Sequence, residues 1–378
     1  MRQDETQQPK YEKVKNYVLT LIRNQEIVAD ERIPSESELA KALDVSSITV
    51  RKALSDLVNE GIIYRVRGKG SFVSRRPAAG ENAAGKSDLV AFVISGIEMY
   101  DSSYMQIIKG VQSCLADHHH KLIIEFVENN IEQERDLVLK LSQGNYRGLL
   151  IYSSDPNAAK DYLREVQRQG VPFVLLDRFP AGYPVNGISC NNHDGAYEAV
   201  EYMINRGHRN IGIAAYDFHL SSEVERYNGY ADAMANASLP LNPDIQFLHK
   251  ELDYEQMASK IRSGAMTALF CVNDRRALEA IEQLTALGVK IPEEVSIMGF
   301  DDFETSKFAK VSLSTVKQYF DVLGHEAATL LLEVSRPHSY GYKKVFLPTS
   351  LVIRDTVAPP AAGAKSPPVT AAPAGRQS

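Results

Sequence analysis

From Leu89 to Gly299 the chain alternates short, continuously apolar runs with longer amphipathic ones, and few folds accommodate that order. The apolar runs have strand length: Leu89–Ile94, Lys121–Val127, Gly148–Tyr152 and Pro172–Leu176. Helical periodicity separates them over Tyr104–Asp117, Ile131–Ser142 and Ala158–Gln169. A second series repeats the pattern, with helices over Asp194–Asn205, Ser221–Ala235, Tyr254–Ser263 and Asp274–Leu287. Its strands are Asn210–Ala215, Ile245–Leu248, Ala268–Val272 and Val295–Gly299. A strand apolar on both sides cannot face water on either, so these strands predict parallel sheets with helices on both faces. Two such series predict two similar lobes. Ligands of open α/β sheets sit beyond the carboxyl ends of the strands, which here means a cleft between the lobes.

The stretch before this body has a different texture. Ser35 is followed three residues later by Glu38, a capping box, and Leu39, Ala42 and Leu43 continue at helical spacing. Asp44-Val45 breaks that helix and Ser46 or Ser47 caps the next, whose stripe is Val50, Ala53, Leu54, Leu57 and Val58. Gly61 closes it as a helix C-terminal glycine. Then the period becomes that of two short strands, Ile62–Tyr64 and Ser71–Val73, joined through Arg65-Val66-Arg67-Gly68-Lys69-Gly70. Between Gly61 and Arg76 lie five basic residues and no acidic one. Two helices in a tight turn followed by a basic hairpin make a winged helix-turn-helix, with an amphipathic helix from Tyr11 to Arg23 packed beneath. Thr49 and Arg51, at the exposed start of the second helix, face a major groove in such a fold.

Charge supports this division. Residues 1–76 hold 14 Lys+Arg against 11 Asp+Glu, and the rest of the 378-residue chain holds 28 against 37. A basic head on an acidic body suits nucleic-acid binding by the head alone. The expected organisation is a head over 1–74, a linker over 75–87, the body over 88–357 and an Ala/Pro-rich disordered tail over 358–378, the bias beginning at Thr356. Cys114, Cys190 and Cys271 are far apart and lack metal-ligand spacing, so they are expected as buried, reduced thiols of a cytoplasmic protein. There is no apolar leader with a cleavage site and no run approaching the ~18 apolar residues of a membrane span, so neither export nor a membrane is expected. His118-His119-His120 suits a solvated helix end better than a metal, because consecutive helical residues diverge. Neither metal nor cofactor is expected.

The head resembles the GntR-type winged helix. The resemblance is carried by Pro34-Ser35-Glu36-Ser37-Glu38-Leu39-Ala40, by Val45-Ser46-Ser47-Ile48-Thr49-Val50-Arg51-Lys52-Ala53-Leu54, and by Gly68-Lys69-Gly70-Ser71-Phe72-Val73. It implies contacts to a double-stranded operator from Ser35, Glu36, Ser46, Ser47, Thr49, Arg51, Arg67, Gly68 and Lys69. Ser37 and Ser47 stand where many members carry arginine. A winged helix used only for protein contacts is the alternative, and the salt dependence of DNA binding separates the two.

The body resembles the LacI/GalR-type, periplasmic-binding-protein-like effector domain. Its motifs are Asp194-Gly195-Ala196 with Arg206-Gly207-His208-Arg209-Asn210-Ile211-Gly212, Arg226-Tyr227-Asn228-Gly229-Tyr230, Val272-Asn273-Asp274, and Gly299-Phe300-Asp301-Asp302. Head and body together have the architecture of AraR-type arabinose repressors. The resemblance implies a homodimer, a small effector such as a sugar, and chain crossings between lobes near 190, 316 and 345. It places effector contacts on Asp177, Arg226, Asn273 and Asp301, stacking aromatics on Tyr254 and Phe320, and flanking contacts on Asp101 and Tyr104. Other roles fit the same residues: an Asp177–Arg178 ion pair, a helix cap at Asn273, a solvated helix face for Arg226. Asp302 suits a turn. An enzyme on this body lacks its motifs, since Ser95-Gly96-Ile97-Glu98 is no dinucleotide loop and no G-x-S-x-G, HExxH or Walker A occurs. A transport binding protein would lack the DNA-binding head.

Overall fold

The structure, a computed structural model, describes residues 10–23, 27, 30–59, 62–66, 70–73, 88–96, 102–216, 220–307, 311–336 and 341–361. The expected linker over 75–87, the helix-ending Gly61 and tail residues 362–378 lie outside them.

In the head, α1 (Lys10–Arg23), α2 (Glu36–Leu43) and α3 (Ser47–Asn59) precede the antiparallel pair β1 (Ile63–Val66) and β2 (Gly70–Val73). The capping box forms: the Ser35 hydroxyl accepts from Glu38 N at 3.3 Å and Ser35 N donates to the Glu38 carboxylate at 2.7 Å. Asp44, at φ 52°, turns the chain through the left-handed region, and Ser46 caps α3 by accepting from Thr49 N at 3.2 Å. Val14, Val18, Leu39, Val50, Leu54 and Leu57 close the core; the last four belong to the stripes read from the sequence, of which Ala42 is exposed instead. Residues 30–33 add a third line of backbone bonds against β2, with Ile33 N to Ser71 O at 3.0 Å and Val73 N to Glu31 O at 2.9 Å.

The body starts with β3 (Leu89–Ser95), α4 (Ser102–Asp117), β4 (Lys121–Val127), α5 (Ile131–Ser142), β5 (Gly148–Tyr152), α6 (Lys160–Arg168), β6 (Phe173–Leu176) and β7 (Gly187–Cys190). At Asn191 it crosses to α7 (Asn192–Asn205), β8 (Ile211–Ala214), α8 (Ser221–Asn236), β9 (Gln246–Phe247) and α9 (Tyr254–Arg262). There follow β10 (Ala268–Cys271), α10 (Asp274–Ala286), β11 (Ser296–Asp301), α11 (Glu304–Lys307) and β12 (Ser314–Lys317). Gln318 and Tyr319 lead back to α12 (Phe320–Val334) and β13 (Lys344–Leu347), and Pro348-Thr349 cross again to β14 (Ser350–Val352). Among the described residues this gives two six-stranded sheets, ordered β4-β3-β5-β6-β7-β13 and β9-β8-β10-β11-β12-β14. All neighbours are parallel except β12 and β14.

Successive strand residues serve opposite faces, which is why these strands are apolar throughout. In β3, Val90, Phe92 and Ile94 pack with α4 and α12, while Ala91 and Val93 pack with α5 and α6. The second sheet repeats this: Phe270 and Met298 face α7 and α8, Leu269 and Ile297 face α9 and α10.

The three crossings stand at 191, 318–319 and 348–349, within a few residues of the positions the resemblance implied. The Ala/Pro bias from Thr356 is not matched by disorder at its start. Thr356 and Val357 are buried, the Thr356 hydroxyl donates to Ile297 O at 2.7 Å, and Ala358 O accepts from Ser296 Oγ at 3.0 Å and is bonded by His208 Nε2 at 2.8 Å. Those side chains satisfy the segment's backbone locally, which composition does not reveal. No helix among the described residues is long and apolar enough to cross a membrane.

Candidate effector cleft and nucleic-acid interface

A cavity of about 220 Å³ lies where the carboxyl ends of the two sheets face each other. From the first lobe come Ser103 and Tyr104 at the start of α4, Asn129 after β4, Tyr152 and Ser154 at the end of β5, and Asp177 and Arg178 after β6. The second lobe contributes Ser222, Glu223 and Arg226 from α8, Asn273 and Arg275 around the start of α10, and Asp301 and Phe303 from the end of β11. Gln318 and Phe320 enter from a crossing.

Arg226 is the centre of this arrangement. It is buried, so it is not a solvated helix face. Its guanidinium donates to Asn192 Oδ1 at 2.8 Å and Val272 O at 2.6 Å, lies 3.2 Å from Asp301 Oδ1, and stacks on the Phe300 ring at 3.8 Å. Burial works against its charge, and Asp301 with other acidic neighbours outweighs burial, so its pKa stands above the ordinary guanidinium value. Asp301 also accepts from Gln318 Nε2 at 2.6 Å.

Asp177 is the counterpart in the first lobe. Its carboxylate accepts from the Tyr152 hydroxyl at 3.0 Å and lies 3.3 Å from Arg178 Nε, so the ion pair and the place on the cavity wall coexist. Both cleft acids have left-handed backbones, Asp177 at φ 67° and Asp301 at φ 124°. Such strain at a strand end persists only where the surroundings impose it, and here it turns two carboxylates toward one cavity. Asn273 likewise serves twice, capping α10 by accepting from Arg276 N at 2.9 Å while lining the cleft. Phe303 and Phe320 stack with centroids 6.4 Å apart, and Tyr104 meets Tyr152 edge-on at 5.3 Å. Asp302, at φ 60°, pairs with Arg354 and serves the turn.

The structure thus gathers Tyr104, Asp177, Arg226, Asn273, Asp301 and Phe320 around one space. Tyr254 is not brought there. It opens α9 after β9, the edge strand, and packs among the core residues of α9 and α10 beside Glu279. Asp101 lies outside the described residues. The sequence does not single out Asn129, Tyr152, Ser154, Glu223 or Arg275, although each ends or follows a strand or lies in the first turn of a helix at the carboxyl side of a sheet. Fixed carboxylates, guanidinium donors, amides and aromatic faces suit a small polar ligand with paired hydroxyls. Cys190 and Cys271 are buried outside the cavity lining, and burial raises both thiol pKa values, so neither is an activated nucleophile. Among the described residues no His/Cys/Asp/Glu group is placed to hold a metal.

On the head, Ser47 and Arg51 are exposed on α3, and the Thr49 hydroxyl is 2.8 Å from that of Ser46. Glu36, in the first turn of α2, accepts from Arg51 at 3.3 Å and from Arg65 of β1 at 3.2 Å. Exposed pairs of this kind add little stability; this one orients two basic side chains of α3 and the wing. Arg67, Gly68 and Lys69 lie outside the described residues.

Comparison with known proteins follows the same division. Residues 10–73 match the gntR family of bacterial regulatory proteins, and residues 200–357 match the periplasmic binding protein-like domain. The arabinose metabolism transcriptional repressor of Halalkalibacterium halodurans is 27% identical over 92% of this chain and 96% of its own. The HTH-type transcriptional repressor PurR of Vibrio vulnificus is 31% identical over 67% of this chain and 77% of its own. A lac repressor dimer, solved with operator and the anti-inducer ONPF, superposes with a TM-score of 0.62 at 25% identity, covering 73% of this chain and 96% of that one. The chain belongs to the bacterial transcriptional repressors in which a gntR-family winged helix is joined to a periplasmic binding protein-like effector domain.

Proposed function

We propose that this repressor binds a palindromic operator as a homodimer in the cytoplasm and controls carbohydrate-utilisation genes. A small sugar, with L-arabinose as the first candidate, occupies the cleft and bridges the lobes. The observation that carries this reading is the pair of strained carboxylates, Asp177 and Asp301, converging from different lobes with Arg226 and the Phe303–Phe320 pair. A relative named for arabinose metabolism, aligned over nearly the whole of both chains, supports the choice of sugar. A second copy would set two winged heads one half-site apart. The sugar's differential affinity for the closed arrangement moves the heads, and release of DNA is the expected sense. Residues 75–87 act as the linker between head and body.

Thermal unfolding against L-arabinose, other pentoses, hexoses, uronic acids and nucleosides tests the reading. A ligand at a hundred times its dissociation constant adds about 2.7 kcal/mol to stability. Asp301→Asn, isosteric and still able to accept from Arg226, is expected to stay folded at some cost in stability, since it leaves the buried guanidinium without its paired charge, and to lose the shift. Arg226→Ala is expected to lose the shift and about 3 kcal/mol of stability, since it strands Asp301 in the interior. Unchanged binding by both variants would remove the site from this cleft. A nucleoside hit, or a ligand that strengthens operator binding, would replace sugar-driven release with the corresponding mechanism.

A further inference from the structure

Ile48 is 79% exposed, more than any other large hydrophobic side chain among the described residues. It occupies the second position of α3, whose first turn is fixed by the Ser46 cap. Val50, Ala53, Leu54 and Leu57 bury the opposite face of the helix in the head core, so Ile48 adds nothing to that packing. Its solvent face is shared with Ser47, Arg51, Lys52 and Ser55, all exposed. Ile48 and Arg51 are three residues apart and stand side by side there. An isolated apolar spot ringed by polar side chains is a poor protein-docking surface, which needs a contiguous patch. Its dimensions match one small apolar group. The major groove offers one such group at a base edge, the 5-methyl of thymine, and apolar side chains are the ones that meet it. A β-branched side chain is stiff at χ1, so it is held out in one orientation before any DNA arrives.

We propose that Ile48 reads a thymine of the operator through its 5-methyl group, giving α3 a base preference carried by an apolar contact. The proposal rests on the DNA-binding reading of the head and assigns a specificity residue within it.

The experiment uses the full chain and duplexes it selects from a randomised pool. Each thymine of a selected duplex is replaced singly by deoxyuridine, which removes the methyl and leaves the pairing edge intact. One position in each half-site is expected to weaken binding by about fourfold, the worth of a buried methyl group. Ile48→Ala should abolish that penalty, and Ile48→Val should retain part of it. The residue is exposed, so neither change threatens the fold. Wild-type protein indifferent to every uracil overturns the proposal, as does an equal penalty in Ile48→Ala. In either case, salt-sensitive binding to the selected duplex leaves the DNA-binding reading standing. If no sequence is enriched and binding ignores salt, that reading falls and the thymine contact with it.

Discussion

Asp274 is a buried carboxylate held by neutral donors. Phe303 N donates to it at 2.9 Å and the hydroxyls of Ser306 and Thr315 donate at 2.5 Å. Burial raises its pKa, and these bonds pull it back only as far as about 6. In the unfolded chain an aspartate titrates near ~3.9, so between about pH 4 and 6 the folded state holds more protons. This contribution to stability therefore falls as pH rises through that window and is level above it, a difference of roughly 3 kcal/mol. Denaturant midpoints should show wild type losing ground to Asp274→Asn from pH 4 to 6; a difference that ignores pH would refute the titration. Sequence shows an Asn-Asp pair at a helix start and suggests a cap. Asn273 fills that role, but Asp274 turns inward to partners 32 and 41 residues away, which no local pattern announces. The left-handed backbones of Asp177 and Asp301 are equally silent in sequence, whereas Arg226 and Asp301 stand out because their motifs are long and ordered.

Among the elements, α4 and α12 cross so closely that glycine is required on both. A methyl group on Gly110 would fall on the Asp321 carbonyl, and one on Gly324 on the Ile107 carbonyl. In an open helix Gly→Ala stabilises by up to ~1 kcal/mol. Here the sign reverses: Gly110→Ala should cost about 3 kcal/mol by forcing the helices apart, seen as a lowered denaturation midpoint of the body, and a raised midpoint would refute the crossing. The strands with long apolar runs, such as Leu89–Ile94 and Gly148–Tyr152, were legible because both faces are buried. The residues of β7, β12, β13 and β14 do not read as strands in the sequence. They are three or four residues long, mix Ser, Thr, Lys and Gly with apolar residues, and gain pairing only where the chain crosses. Tyr254 illustrates the same gap, since sequence puts it after a strand without saying that the strand lies at the sheet edge.

For the whole molecule, the consequence lies in where the crossings run. Gln318 is buried in the crossing from β12 to α12, and its amide donates to the Asp301 carboxylate that also meets Arg226. A ligand that takes up Asp301 must share it with Gln318 or displace it, so occupancy of the cleft bears directly on a segment joining the lobes. Gln318→Ala removes a hydrogen bond to a charged group, worth ~1.5–3 kcal/mol. We expect effector affinity to change by about tenfold while operator affinity without effector stays the same. The factor by which effector alters operator affinity should move toward one. Linkage requires that the factor by which operator alters effector affinity shrink equally, because both are one coupling free energy. Titrating effector with and without operator, and operator with and without effector, closes that cycle. A variant with weakened effector binding and intact coupling would make Gln318 a ligand contact alone; loss of coupling with near-normal affinity would place the switch in the crossing itself.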